Sequence, residues 1–142
     1  MNPRLRPGLL ATIQECKNLM EVKNLSPIRT YCVHLSFTAV DISVGAVGDD
    51  LFILVTGGEK PHLGTCVMAI PRPSLTGDGR ISATSSVLNR TGHKDEAICR
   101  LLAEKAAVKH NAVTVCTGGC HMDHMTGDQI RELMQALKGL EM

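Results

Sequence analysis

Aromatic residues are nearly missing from this chain of 142 residues, which has no Trp, one Tyr and two Phe. Proteins that bind single-stranded nucleic acid stack the bases on aromatic side chains, and this sequence offers few residues for such a surface. Basic residues do not compensate, because 15 Lys and Arg balance 14 Asp and Glu without forming any long basic cluster. We therefore expect no nucleic acid among the partners.

Long apolar runs are also missing. The longest obvious run, LFILV at 51–55, is far shorter than the ~18 residues of a membrane-spanning helix. Near the N-terminus, Gln14 and Glu15 interrupt any signal-peptide core. Several of the six cysteines lie inside apolar runs, which is typical of free buried thiols rather than of a disulfide framework. We expect a cytoplasmic protein without a membrane span.

The hydrophobic pattern predicts an N-terminal helical extension over residues 1–28. Leu9, Ile13, Cys16 and Met20 follow one another at helical spacing and share one face. From Arg29 the apolar residues alternate with period two, which predicts a series of antiparallel strands. One of these strands should end at the PRP of residues 71–73, because proline cannot donate a hydrogen bond to a β-ladder.

The second half of the chain predicts helix, strand and helix. The helical pattern begins at Asp95 and should end near Asn111, and AVTVCT at 112–117 should form a short strand. Thr126 and Gln129 have the spacing of a capping box for a last helix. The fold class is therefore α+β, a mostly antiparallel sheet with helices packed on it, in one domain over residues 29–142.

Two segments repeat the same order of features. LVTGGEKPH at 54–62 and VCTGGCHMDH at 115–124 each have an apolar strand, Thr-Gly-Gly and then a histidine. Paired glycines can take positive φ and leave successive N–H groups to face an anion. They can also be ordinary turns. A third segment, NRTGHKDE at 89–96, precedes a helix whose N-terminus favours phosphate or carboxylate. Its acidic residues are equally typical of a helix without a ligand.

Metal binding and nucleophilic catalysis are the alternatives to an anion site. The metal candidates are His62, His93, His121 and His124. Their spacing, and that of the nearby cysteines, fits no strong zinc signature. Cys120 beside His121 could form a thiolate and imidazolium pair, although adjacent residues seldom face each other productively. Cys16, Cys32, Cys66, Cys99 and the methionines of the last helix are expected in the core.

Four segments together resemble a known family. TGGEKPHLG at 56–64, AIPRPSL at 69–75, SATSSVLNRTGHKDE at 82–96 and TGGCHMD at 117–123 are similar to the small accessory proteins that accompany gallate and hydroxybenzoate decarboxylases. This family is described as prenylated-flavin chaperone-like. The similarity covers residues from about 38 to 138, so the N-terminal helix is additional to the family core and is suited to an oligomer or partner interface.

The resemblance implies an accessory protein rather than an enzyme. The implied cofactor is prenylated FMN, or FMN itself, and the implied partners are a decarboxylase apoenzyme, a flavin prenyltransferase and further copies of the chain. The implied fold is similar to that of proteasome-assembly chaperones. Pro71 and Asp95 belong to the matching motifs, and the residues assigned to the cofactor are Gly57, Gly58, His62, Gly64, Arg72, Gly92, His93, Lys94, Gly118, Gly119, His121 and Asp123.

Within this assignment, glycine amides, the helix N-terminus, Lys94 and Arg72 suit a phosphate, and the histidines suit the polar edge of the ring system. With so few aromatic residues, the ring would have to lie on aliphatic and sulfur-bearing side chains. The alternatives are a metal-dependent hydrolase or lyase using His62, His93 and His121, and a non-catalytic assembly subunit of a decarboxylase. We expect the three histidine-bearing segments to converge in the fold.

Overall fold

The computed structural model describes residues 28–91 and 95–142. The predicted N-terminal helix and Gly92, His93 and Lys94 lie outside these residues. The described elements, in chain order, are β1 (Arg29–His34), β2 (Ala39–Val47), β3 (Asp50–Gly58), β4 (Thr65–Pro73), β5 (Ile81–Asn89), α1 (Glu96–His110), β6 (Thr114–His121) and α2 (Gly127–Gly139).

The six strands form one sheet in the order β1-β2-β3-β6-β4-β5. All neighbours are antiparallel except β3 and β6, which run parallel because α1 crosses over before β6 enters the centre of the sheet. The structure therefore confirms an α+β fold with a mostly antiparallel sheet and helices packed on it.

Both helices belong to a core on one face of the sheet. Alternating strand residues such as Val40, Ile42 and Val67 are fully buried there, together with Leu102 of α1 and Leu137 of α2. The capping box at the start of α2 is present as predicted: the Thr126 hydroxyl accepts from the Gln129 amide, and the Gln129 side chain accepts from the Thr126 amide. No described helix is long and apolar enough to cross a membrane.

The opposite face of the sheet carries no helix among the described elements. Met68, Ile70 and Leu88 are exposed on it at 45%, 49% and 77%. These residues belong to β4 and β5, where Met68 pairs with Ser86 and Ile70 with Thr84. The sheet thus has one packed face and one open face, which carries an apolar patch on β4 and the edge strand β5.

Two strands are longer than the sequence predicts. β4 continues through Pro71 to Pro73, because beyond Ala69 it pairs only with β5 and its other edge needs no ladder hydrogen bond. β6 continues through Gly118 and Gly119 to His121, because the glycine pair fits between its neighbours. The prediction that Cys32 lies in the core is also wrong, because this residue is exposed on the edge strand β1.

Candidate functional site

The two Thr-Gly-Gly segments lie side by side at one edge of the sheet. Because β3 and β6 are parallel, their C-terminal ends meet, and Gly58 pairs with His121. Gly58 has a φ of 76°, and the next amide, that of Glu59, donates to the His121 carbonyl at 2.8 Å. A side chain at Gly58 would collide with that same carbonyl. Glycine is therefore required where the second histidine segment approaches the first.

Asp95 joins three parts of the site. It precedes α1, and its carboxylate is 8% exposed. One carboxylate oxygen lies 2.8 Å from Nε2 of His62 in the β3–β4 connection, and the other accepts from the Cys120 amide of β6 at 3.1 Å. The side chain does not cap its own helix. It instead ties the start of α1 to the ends of β3 and β6.

Both ring nitrogens of His62 face hydrogen-bond acceptors. Its Nδ1 lies 3.0 Å from the Lys60 carbonyl, which can only accept a hydrogen bond. Its Nε2 faces the Asp95 carboxylate, which also accepts. The hydrogen bond to the Lys60 carbonyl is the largest influence and raises the pKa of His62; burial, the next largest, lowers it, and the Asp95 carboxylate raises it further, so that the pKa is raised. The arrangement favours an imidazolium and carboxylate ion pair that is mostly shielded from solvent.

Gly64 and Gly119 make room for this ion pair. A Cβ atom at Gly119 would lie 2.7 Å from Nε2 of His62 and 2.8 Å from the Asp95 carboxylate, and one at Gly64 would collide with the same carboxylate. Gly57 and Gly118, in contrast, are paired with a strand on each side. The glycines thus allow close packing of chain segments, which differs from the open row of N–H groups that was one of two interpretations of the sequence.

His121 lies next to His62 at the surface of the site. Their ring centroids are 5.8 Å apart with the planes nearly perpendicular. Nε2 of His121 is 2.9 Å from the Asp123 carboxylate, and this hydrogen bond lowers the pKa of Asp123. His121 is 44% exposed at its side chain. Its ring is therefore reachable by a ligand, in contrast to that of His62.

A cavity of 510 Å³ opens beside these residues, between the start of α1 and α2. Asp95, Cys120 and His121 form its polar end, and burial followed by the charge of Asp95 raises the pKa of the Cys120 thiol. The remaining walls are aliphatic or contain sulfur. They are formed by Ala97, Ile98, Met122, Met125, Ile130, Leu133 and Met134.

Some predicted site residues lie elsewhere. Arg72 is at the far end of β4, seven residues or about 23 Å beyond Thr65, where it donates to the Thr84 hydroxyl and the Pro73 carbonyl. His124 is exposed, with a φ of 59°. The structure brings His62 and His121 together, whereas His93 lies outside the described residues. Within residues 28–91 and 95–142, no group of His, Cys, Asp or Glu is arranged to hold a metal ion.

The apolar lining of the cavity was not identified from the sequence. Met122, Met125 and Met134 follow the second Thr-Gly-Gly segment closely, but a methionine at helical spacing is normally a core residue. The sequence feature that could have indicated a ligand site is the presence of several methionines close to a histidine-bearing segment, in a chain with almost no aromatic residues. Only the packing of α2 against α1 turns these residues into the walls of one cavity.

Comparison with known proteins identifies the family. The model of the prenylated flavin chaperone LpdD-like domain matches residues 36–141, which is most of the chain. The chain belongs to this family. The recognition made from the four motifs is thereby confirmed. Membership in the LpdD-like family does not support a metal-dependent hydrolase or lyase. No curated protein matches the chain.

A solved structure shows the same fold. It is a chain from the crystal structure of a novel chaperone complex for yeast 20S proteasome assembly, with a TM-score of 0.51. The match covers 82% of this chain and 91% of that chain, at 14% sequence identity. At this identity the similarity concerns the fold alone, and it agrees with the predicted likeness to proteasome-assembly chaperones.

Proposed function

We propose that this LpdD-like chain binds prenylated FMN, or FMN itself, in the cavity beside α1 and delivers it to the apoenzyme of an aromatic-acid decarboxylase. The cavity is the observation that carries this proposal. Its volume of 510 Å³ lies within the roughly 300–1,000 Å³ of ordinary small-molecule sites. It adjoins two of the three histidine-bearing segments on which the family resemblance rests.

The chemistry of the lining fits a flavin ring. Such a ring has two apolar faces and one edge of polar groups, and the cavity has apolar walls with a polar end formed by Asp95 and His121. Methionine sulfur is polarisable and makes favourable contacts with aromatic rings, so Met122, Met125 and Met134 can replace aromatic residues on the ring faces. The bound cofactor would supply decarboxylation chemistry only after its transfer to the enzyme.

The two histidines have different roles in this proposal. His121 lines the cavity and is the residue that contacts the polar edge of the ring. His62 is not among the described residues that line the cavity, and it acts by holding Asp95, which in turn binds the Cys120 amide. The phosphate is assigned to the start of α1, where Gly92, His93 and Lys94 lie outside the described residues. Arg72 is left out of this assignment, because its side chain donates to Thr84 and Pro73 at the C-terminal end of β4.

Native mass spectrometry under anaerobic conditions tests the proposal. The chain is produced in cells that also make a flavin prenyltransferase, the proposed source of the cofactor, and oligomeric state is read from the same spectra. We expect a mass increment of prenylated FMN, strongly reduced in His121→Ala. A zinc-sized or iron-sized increment alone would instead indicate a metal protein, and a bare chain that still binds the decarboxylase would indicate an assembly subunit.

A matched pair of variants locates the ligand. Ile130 is 49% exposed and lines the cavity, whereas Val108 is 38% exposed on α1 and does not. Ile130→Gln should weaken cofactor retention at least severalfold, and Val108→Gln should leave it unchanged. Equal retention in both variants would place the cofactor outside this cavity. We include in the proposal a homo-oligomer in solution, which the same spectra and size-exclusion chromatography would reveal.

A further inference from the structure

Methionine side chains are concentrated at the cavity beside α1. Three of the seven methionines line it: Met122 and Met125 follow β6, and Met134 lies on α2. All three are half-buried, so a small molecule that enters the cavity can reach part of each side chain. Of the other described methionines, Met68 is exposed on the opposite face of the sheet and Met142 packs against the core. The thioether groups of the cavity wall are thus accessible to a reactive solute.

A thioether reacts with a peroxide without first losing a proton. The sulfur lone pair attacks one peroxide oxygen, the O–O bond breaks, and the products are a sulfoxide and water, so that sulfur is oxidised and the peroxide is reduced. Cys120, at the polar end of the cavity, would react as the thiolate. Burial, followed by the charge of Asp95, raises the pKa of this thiol and keeps it protonated. The methionines are therefore the groups of the cavity that a peroxide oxidises first.

We propose that Met122, Met125 and Met134 make the cavity sensitive to oxidation, so that a peroxide converts them to sulfoxides and the ligand is released. This adds regulation by chemical modification to the proposed function and rests on that function for the identity of the ligand. A sulfoxide has a strongly polar S–O group, and oxidation would place such groups along a wall that is now apolar. A flavin ring lying on this wall would lose its favourable contacts with sulfur.

The proposed ligand can itself generate the oxidant. A flavin in its reduced form transfers two electrons and two protons to dioxygen, which gives the oxidised flavin and hydrogen peroxide. In a cavity of 510 Å³ this peroxide would form close to the three sulfur atoms. The wall would thus respond to dioxygen while the cofactor is being carried, and the sulfoxides can be reduced again afterwards.

Oxidation of this wall should leave the fold intact. The core is made of buried aliphatic residues and cysteines, and only Met134 among the three methionines packs against it. The rest of the apolar wall, Ile130 included, cannot form sulfoxides. We therefore expect ligand binding to weaken by roughly tenfold or more before secondary structure is lost, because a polar oxygen enters a wall of aliphatic side chains.

Peroxide treatment of the ligand-free chain tests the proposal. Excess peroxide is removed with catalase, and the dissociation constant of FMN is measured by fluorescence titration before and after treatment. Peptide mass spectrometry locates each added oxygen, and circular dichroism verifies the fold. We expect sulfoxides at Met122, Met125 and Met134 and a dissociation constant higher by roughly tenfold or more. Sulfoxides at these positions with unchanged affinity would overturn the proposal.

Leucine substitutions provide the matched comparison, because leucine has a similar apolar volume and cannot form a sulfoxide. The triple variant Met122→Leu, Met125→Leu, Met134→Leu serves as its own reference, and its affinity for FMN should not change on peroxide treatment. Met68→Leu removes the exposed methionine of the opposite sheet face and should stay as sensitive as the wild type. An equal loss of affinity in the triple variant, or recovery with dithiothreitol alone, would assign the effect to other groups and refute the proposal.

A second probe separates this inference from the proposed function. Nile red is an apolar fluorescent dye, and the part of its signal that Ile130→Gln removes reports on the cavity. If FMN does not bind the untreated chain, the proposed function fails and the dye alone measures the effect of peroxide. Loss of the cavity signal in the wild type but not in the triple variant would support the oxidation-sensitive wall, and its persistence in both would contradict it.

Discussion

Gly119→Ala is the substitution that most directly tests the contacts of the Asp95 carboxylate with His62 and the Cys120 amide. The added Cβ would lie 2.7 Å from Nε2 of His62 and 2.8 Å from the Asp95 carboxylate, closer than nonbonded carbon atoms approach either group. Gly119 does not have a positive φ, unlike its neighbour Gly118. The expected effect therefore comes from the clash with this ion pair and not from backbone strain.

The expected loss in the free energy of unfolding follows from the hydrogen bonds that the added methyl group would break. Asp95 accepts one bond from His62 at 2.8 Å and one from the Cys120 amide at 3.1 Å. A hydrogen bond to a charged group contributes about 1.5–3 kcal/mol. Loss of one such bond should lower the free energy of unfolding by about 1.5–3 kcal/mol. Urea denaturation followed by circular dichroism measures this difference.

Gly139→Ala is the control, because Gly139 ends α2, has nothing within 4 Å of an added Cβ and does not have a positive φ. Its effect should stay within about 0.5 kcal/mol. In a His62→Ala background the imidazole is gone and Asp95 can move, so Gly119→Ala should cost at least about 1 kcal/mol less than in the wild type. Equal stability of Gly119→Ala and Gly139→Ala would refute the proposed clash.

Four further predictions concern pH, reactivity, capping and distance. Because the pKa of His62 is raised in the folded state, its stabilisation is complete below about pH 6.5 and is lost as pH rises through the folded pKa. The free energy of unfolding should therefore fall over that window in the wild type and change less in His62→Gln; identical pH profiles would contradict the ion pair. Since burial and then the charge of Asp95 raise the pKa of the Cys120 thiol, Asp95→Asn should speed its alkylation by iodoacetamide, and an unchanged rate would argue against that influence. Thr126→Ala should remove the capping bond of α2 and cost about 1 kcal/mol in thermal unfolding, whereas a shift no larger than that of a surface substitution would show the cap to be unimportant. Arg72→Ala should leave flavin retention in native mass spectra unchanged, because Arg72 bonds to Thr84 and Pro73 at the C-terminal end of β4, away from the ends of β3 and β6. A loss of flavin would show that Arg72 takes part in binding it.

Local patterns predicted most of the fold. Alternation of apolar residues identified the strands, and the Thr126 and Gln129 spacing located the start of α2, because both signals depend only on neighbours in the chain. The end of β4 was predicted too early. Whether proline is tolerated depends on which strand lies alongside, and that is a property of the assembled sheet.

The site was predicted in part. Repeated Thr-Gly-Gly and histidine motifs indicated the segments that the parallel pairing of β3 and β6 brings together. The motifs could not show that Gly119 and Gly64 leave space for His62 and Asp95, since His62 and Asp95 are 33 residues apart in the chain and Gly119 lies in a third segment.

The sequence by itself determined the fold class, the family and two of the segments that meet at the candidate site, because periodicity, capping and motif order are local properties of the chain. Tertiary structure alone decided that the Asp95 side chain links three segments instead of capping its helix, that Arg72 lies at the other end of β4, and that Met134, expected in the core, lines a cavity. These outcomes depend on strand order and on the packing of α2 beside α1, which place residues distant in the chain within contact.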